Sequence, residues 1–140
     1  MDANRDIVTA SFPGLKFDEL MDNLTKATQL QNYRVTKIVN VDNIQMRENM
    51  VENVVIGFKH YKIVEICNLF NCNDVISADL RAGVFMPVRF AVYQKSDKEP
   101  VRVSYLKPTA FAGLFESKKV MEAAIILDRD METVIEEAGF

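Results

Sequence analysis

From Ser117 to Gly139 the apolar residues Val120, Met121, Ala124, Ile125, Met131, Val134, Ile135 and Ala138 recur at helical spacing. They form one long stripe on a helix that Ser117 caps at its start and Gly139 ends. A stripe of that length must be buried against something. The remainder of the chain offers short β-rich runs as the partner surface.

Ile7 to Phe12 is the first such run, ended by Pro13-Gly14, a pair through which a strand does not continue. Phe17, Leu20, Met21, Leu24 and Ala27 or Thr28 then give one buried face of a second helix, with Asp18, Glu19 and Asp22 near its positive end. That helix closes near Asn32, a residue that tolerates left-handed backbone. Tyr33, Val35, Val39 and Val41 alternate as a half-buried strand, with Lys37 on the wrong parity. Asp42 to Phe58 suits a short helix and then a loop. His60 to Ile66 is a strand by β-branched content, and Asn68 caps a helix running to about Leu80, with Leu69, Cys72, Val75 or Ile76, and Leu80 facing inward. Gly83 supplies a turn into a strand over Val88 to Gln94. Ser96-Asp97-Lys98-Glu99 joins that strand to Val101–Tyr105 as a hairpin, and Pro108 breaks the sheet.

The order is β-α-β, a variable segment, then β-α-β-β-α. Strands gathered in hairpins with helices long enough to cover one side predict an α+β, two-layer fold: a mainly antiparallel sheet with its helices on one face. The 140 residues, 49% of them apolar, suffice for one domain with one core. The other sheet face is then bare. Phe90, Val92 and Tyr93 cannot all point at the helices, because side chains alternate, so a homodimer across sheet surface or edge is expected.

A net charge of −3 provides no clustered positive surface for nucleic acid or anionic membrane. MDANRDIV has acids and amides where a signal peptide needs a basic start and an apolar run, and no later segment reaches membrane-spanning length, so the chain reads as cytoplasmic. With one His and two Cys, neither a metal site nor Ser-His chemistry has enough ligands or imidazoles, and no cofactor is expected. His60 reads as an exposed residue on a polar loop.

The segment from Cys67 to Pro87, CNLFNCNDVISADLRAGVFMP, is the most distinctive. With Asn68 as N-cap, Cys67 precedes the cap and Cys72 is the fourth helical residue, the placement of a hydrophobic staple. That placement has two readings. In one, two small apolar sulfurs fix the helix entry angle. In the other, Cys67 at the helix's positive end acts as a thiolate and Cys72 resolves it as a disulfide. Arg89, between apolar neighbours on a strand, must find a carboxylate or an anionic ligand, and Asp79 and Arg81 lie nearby in sequence. An anion pocket between sheet and helices, lined by Arg89 and Tyr93 with Asn68 close by, is the ligand-binding version of that reading.

The spacing of Cys67, Asn68, Cys72, Ile76, Asp79, Gly83 and Pro87 resembles the motif of the family known as domain of unknown function 302, small bacterial and archaeal proteins. Asn32-Tyr33 resembles its helix exit and Tyr93 its strand-end tyrosine. Leu69 stands where Pro is usual, Met86 replaces Leu, and Val88 takes the place of the second cysteine that many members carry, so a thiol pair from the two ends of the segment is absent. The resemblance implies a two-layer α/β fold and a dimer, with no activity attached. Two functional classes remain: a binding or accessory protein holding a small ligand or partner, and a thiol-dependent redox or sulfur-handling protein using Cys67 with Cys72.

Overall fold

The computed structural model describes residues 1–44 and 55–140. The short helix expected after Asp42 falls mostly outside them; at 41–44 the chain makes one tight helical turn. Five strands, β1 (Ile7–Phe12), β2 (Arg34–Asn40), β3 (His60–Cys67), β4 (Val88–Gln94) and β5 (Val101–Leu106), form one antiparallel sheet in the order β1-β5-β4-β3-β2. Helices α1 (Ala3–Asp6), α2 (Phe17–Leu30), α3 (Leu69–Ala78), α4 (Pro108–Ala112) and α5 (Lys118–Ala138) are interleaved with them. The fold is α+β as expected. The single turn α1 and the short α4 are additions to the expected order.

Helix ends obey local chemistry. Ser117 Oγ accepts from the Val120 N–H at the start of α5. At the exit of α2, Asn32 takes φ 64°, and the amides of Tyr33 and Asn32 donate to the carbonyls of Thr28 and Gln29. These two bonds satisfy carbonyls that the helix leaves open. Gly14, at φ 87°, makes the turn after β1. Gly83 lies instead within a 3-10 turn (Leu80–Phe85) and has no positive φ.

The core lies between the sheet and the helices. Val88, Phe90 and Val92 of β4, Val101 and Val103 of β5, and Val64 and Ile66 of β3 are buried, and α2 and α5 close over them with Leu20, Leu24, Leu127 and Met131. Helix α5 packs against α2, α3 and α4 and so organises the helical layer. Its buried stripe is Val120, Ala124, Leu127, Met131, Val134 and Ala138. Ile125 is exposed, contrary to expectation, because a stripe stepping alternately by four and three residues passes through Leu127 and leaves Ile125 on the flank.

Two further corrections concern α3 and β2. Helix α3 stops at Ala78, since Asp79 turns to extended backbone and its carboxylate accepts from the Arg81 N–H to cap the 3-10 turn beyond it. Leu69 and Leu80, expected to face inward, are 79% and 82% exposed, and only Cys72 and Val75 of α3 are buried. In β2 the register shifts between Val35 and Lys37. This bulge flips the facing of the remainder of the strand, so Val35 pairs with the buried Ile66 while Lys37 pairs with Glu65 on the opposite face. The bulge accounts for Lys37's parity.

Candidate functional site

Alternation along β4 divides the expected site residues. Val88, Phe90 and Val92 point into the core, so Arg89, Ala91 and Tyr93 point to the opposite face of the sheet. Arg89 nevertheless borders a hollow that reaches Phe111 of α4, and Tyr93 does not line it. Asn68 lies apart from both: its Oδ1 accepts from the Phe70 and Asn71 amides, and its Nδ2 donates to the Asn32 carbonyl. Capping engages that side chain at both ends.

On that face, Tyr61 and Tyr93 stack with ring centres 5.4 Å apart. Ile7, Tyr61, Ile63, Ala91 and Leu106, with Arg89 at the side, line a shallow depression of about 350 Å³. Arg89 and Leu106 also border a smaller hollow of about 230 Å³ that reaches Phe85 and Phe111. A hydroxyl chain crosses three strands beside the larger depression, with Tyr93 OH 2.7 Å from Ser104 Oγ and Ser104 Oγ 2.8 Å from Thr9 Oγ1. Ser104 and Thr9 carry no sequence signal for this role, because the strand order that brings β1 beside β5 is a long-range property.

Glu65 has Arg89 as its register partner on one side and Lys37 on the other. The Arg89 guanidinium comes within 3.6 Å of the Glu65 carboxylate while its side chain remains 55% exposed. An exposed pair at that distance is weak enough to yield to a competing anion. Asp79 and Arg81 pair with each other.

The cysteines form a second constellation. Cys67 Sγ and Cys72 Sγ are 2.7 Å apart, and both are free thiols. Asn68 caps α3 between them, which is what brings the residue before the cap onto the fourth helical residue. Cys72 is buried and Cys67 half-buried. Burial pushes the Cys72 thiol up to about 12, reinforced by its hydrogen bond and charge interaction with Cys67 and opposed by the Asn68 backbone.

Beside Cys72 runs a polar chain that sequence reading missed. Tyr33 is 3% exposed, its hydroxyl donates to Asp130 Oδ2 at 2.7 Å, and it accepts from Asn71 Nδ2 at 2.6 Å. Burial first, then the Asp130 carboxylate, raises the Tyr33 phenol well above its ordinary range. These residues lie on α3, α5 and the α2–β2 junction, so no local spacing announces them.

His60 begins β3, half-buried, and stacks on Phe17 with ring centres 4.6 Å apart. It stands at the strand start expected, half-buried where an exposed residue was expected. Among the described residues no three His, Cys, Asp or Glu side chains gather as a metal site, and no helix is long and apolar enough to cross a membrane.

A family model described as domain of unknown function DUF302 matches residues 8–138. The crystal structure of an uncharacterised conserved DUF302 protein from Bacillus stearothermophilus is similar over 94% of this chain and 97% of that one, with a TM-score of 0.82 and 17% identity. That likeness concerns the fold. No curated protein matches the sequence.

Proposed function

The chain belongs to the DUF302 family, and from that premise we propose that it is a binding or accessory protein whose working surface is the sheet face opposite its core. The observation that carries this reading is the depression over Ile63 and Ala91 with Arg89 at its side, where the half-exposed guanidinium is 3.6 Å from the Glu65 carboxylate. An apolar floor with one convergent charged group is the ordinary composition of a small-molecule site. The ligand class that fits has a flat or branched apolar body and one anionic group. The body lies on Tyr61, Ile63 and Ala91, and the anion replaces Glu65 at the Arg89 guanidinium.

A homodimer is part of the proposal. Two copies meeting through this face turn an open depression into a closed one and cover Ile7, which is 42% exposed, together with Tyr61 and Ile63. The protein acts in the cytosol, where its two thiols stay reduced unless they meet an oxidant. Sedimentation equilibrium at micromolar concentration is expected to show a dimer that Ile63→Arg converts to monomer; a wild-type monomer removes this part.

Binding is tested with the dye anilinonaphthalene sulfonate, which joins an apolar ring system to one anion. Fluorescence titration is expected to saturate, with Arg89→Ala weakening the dye roughly tenfold, the size of one charge-assisted hydrogen bond. A non-saturating signal, or equal affinity in the two proteins, overturns the reading.

A further inference from the structure

We propose that Cys67 and Cys72 form a thiol–disulfide exchange site that reduces small disulfides, with Cys67 as the attacking sulfur and Cys72 as the resolving one. Three observations lead there. The sulfurs are 2.7 Å apart without a bond, so closing a disulfide requires no movement of α3 as a whole. The two thiols differ in access, Cys67 half-buried and Cys72 9% exposed, which separates the sulfur that meets a substrate from the one that waits behind it. The contact is held from both sides: the Asn68 side chain caps α3 and ties it to the Asn32 carbonyl, and Asn71, one residue before Cys72, is fixed to the buried Tyr33 hydroxyl and through it to Asp130 of α5. A staple that serves only to pack needs apolar side chains at its two positions; sulfur at both adds a chemistry that Val or Leu lacks.

The reaction balances with a low-molecular-weight disulfide, RSSR, as oxidant. Cys67 gives up its proton to solvent, and its sulfur attacks one sulfur of RSSR. The S–S bond breaks, the first RS⁻ leaves and takes a proton from water, and Cys67 carries a mixed disulfide. Cys72 then loses its proton and attacks Cys67 Sγ. The mixed bond breaks, the second RS⁻ leaves and is protonated, and a Cys67–Cys72 disulfide remains. Two protein thiols are oxidised and one RSSR is reduced to two RSH. Burial of Cys72 delays the second step until the mixed disulfide presents an electrophilic sulfur next to it. Leu69 and Phe70, two and three residues after Cys67 in the first turn of α3, are 79% and 83% exposed.

The test uses the full chain with oxidised glutathione at neutral pH, quenched with acid, treated with maleimide and weighed intact. Wild type is expected to become a species lighter by two hydrogens that takes no maleimide, and excess dithiothreitol returns it to two reactive thiols. Cys72→Ser and Cys72→Ala are both expected to stop at a glutathione adduct on Cys67. Cys67→Ser is expected to form an adduct on Cys72 roughly tenfold more slowly than Cys72→Ser does on Cys67. The wild-type measurement depends on no variant. Two persistently reactive thiols in the wild type, or equal rates for the two single variants, overturn the proposal. Neither result bears on dye binding at Arg89.

Discussion

The two sides of β4 are built from alternate residues of one seven-residue strand and are used in opposite ways. Val88, Phe90 and Val92 are buried under α2 and α5, while Arg89 and Ala91 line an open depression and Tyr93 is half-buried on the same face. The core side is dense and apolar. The other side mixes aromatic rings, hydroxyls and a half-exposed guanidinium. Stability should therefore reside on one side and recognition on the other, and substitutions on adjacent residues should separate the two.

The sharpest way to break this comparison is to truncate both sides. Phe90→Ala is expected to cost about 3–5 kcal/mol in urea unfolding, from lost burial plus the cavity left behind. Tyr93→Phe, which removes only the bond to Ser104, is expected to cost about 1 kcal/mol or less. Comparable losses at the two positions would show that the face opposite the core is also structural.

Alkaline pH tests the helical side next. The Cys72 thiol ordinarily ionises near 9.0 but is held to about 12 in the fold, chiefly by burial. Tyr105 is pushed from 10.0 to about 12, again by burial first and then by Glu132 and Asp128. Tyr33 moves in the same direction. Each folded group keeps its proton after its unfolded counterpart has lost it, so their contributions are whole below about pH 9 and are lost as pH rises toward about 12. Urea midpoints measured from neutral to strongly alkaline pH should fall, with the earliest part of the decline absent in Cys72→Ala.

Smaller effects show what holds the thiols in place. Tyr33→Phe leaves Asn71 and Asp130 without their shared partner and is expected to cost about 1–3 kcal/mol. Asn68→Ala removes the α3 cap for about 1 kcal/mol. Thr28→Val, where the hydroxyl is buried without a hydrogen-bond partner, is expected to be neutral or stabilising by about 0.5 kcal/mol. All three are read by chemical denaturation.

What the sequence announced was local chemistry. Pro13-Gly14, Asn32, Asn68 and Ser117 mark boundaries by their own backbone and side-chain preferences, and each stands at an element end in the structure. The resemblance of the Cys67–Pro87 segment to DUF302 likewise rested on spacing and is supported by the family match. Facing was less legible where apolar residues surround a helix. Leu69, Leu80 and Ile125 fit helical periodicity as well as Cys72 and Leu127 do, and only contact with α5 or the sheet decides which are covered. The bulge in β2 was visible only as Lys37's odd parity. The Asp130–Tyr33–Asn71 chain and the Tyr93–Ser104–Thr9 chain join residues from distant parts of the sequence. They depend on strand order and helix packing, which no window of residues contains.

The division of labour between the two sides of the sheet is tested most directly by methyl chemical-shift mapping during titration with anilinonaphthalene sulfonate. The methyl signals of Ile63, Ala91 and Leu106 are expected to move in parallel and saturate together, while those of Val92 and Val103 beneath the helices stay in place. Movement concentrated on the helical side, or spread evenly over both, would contradict that division.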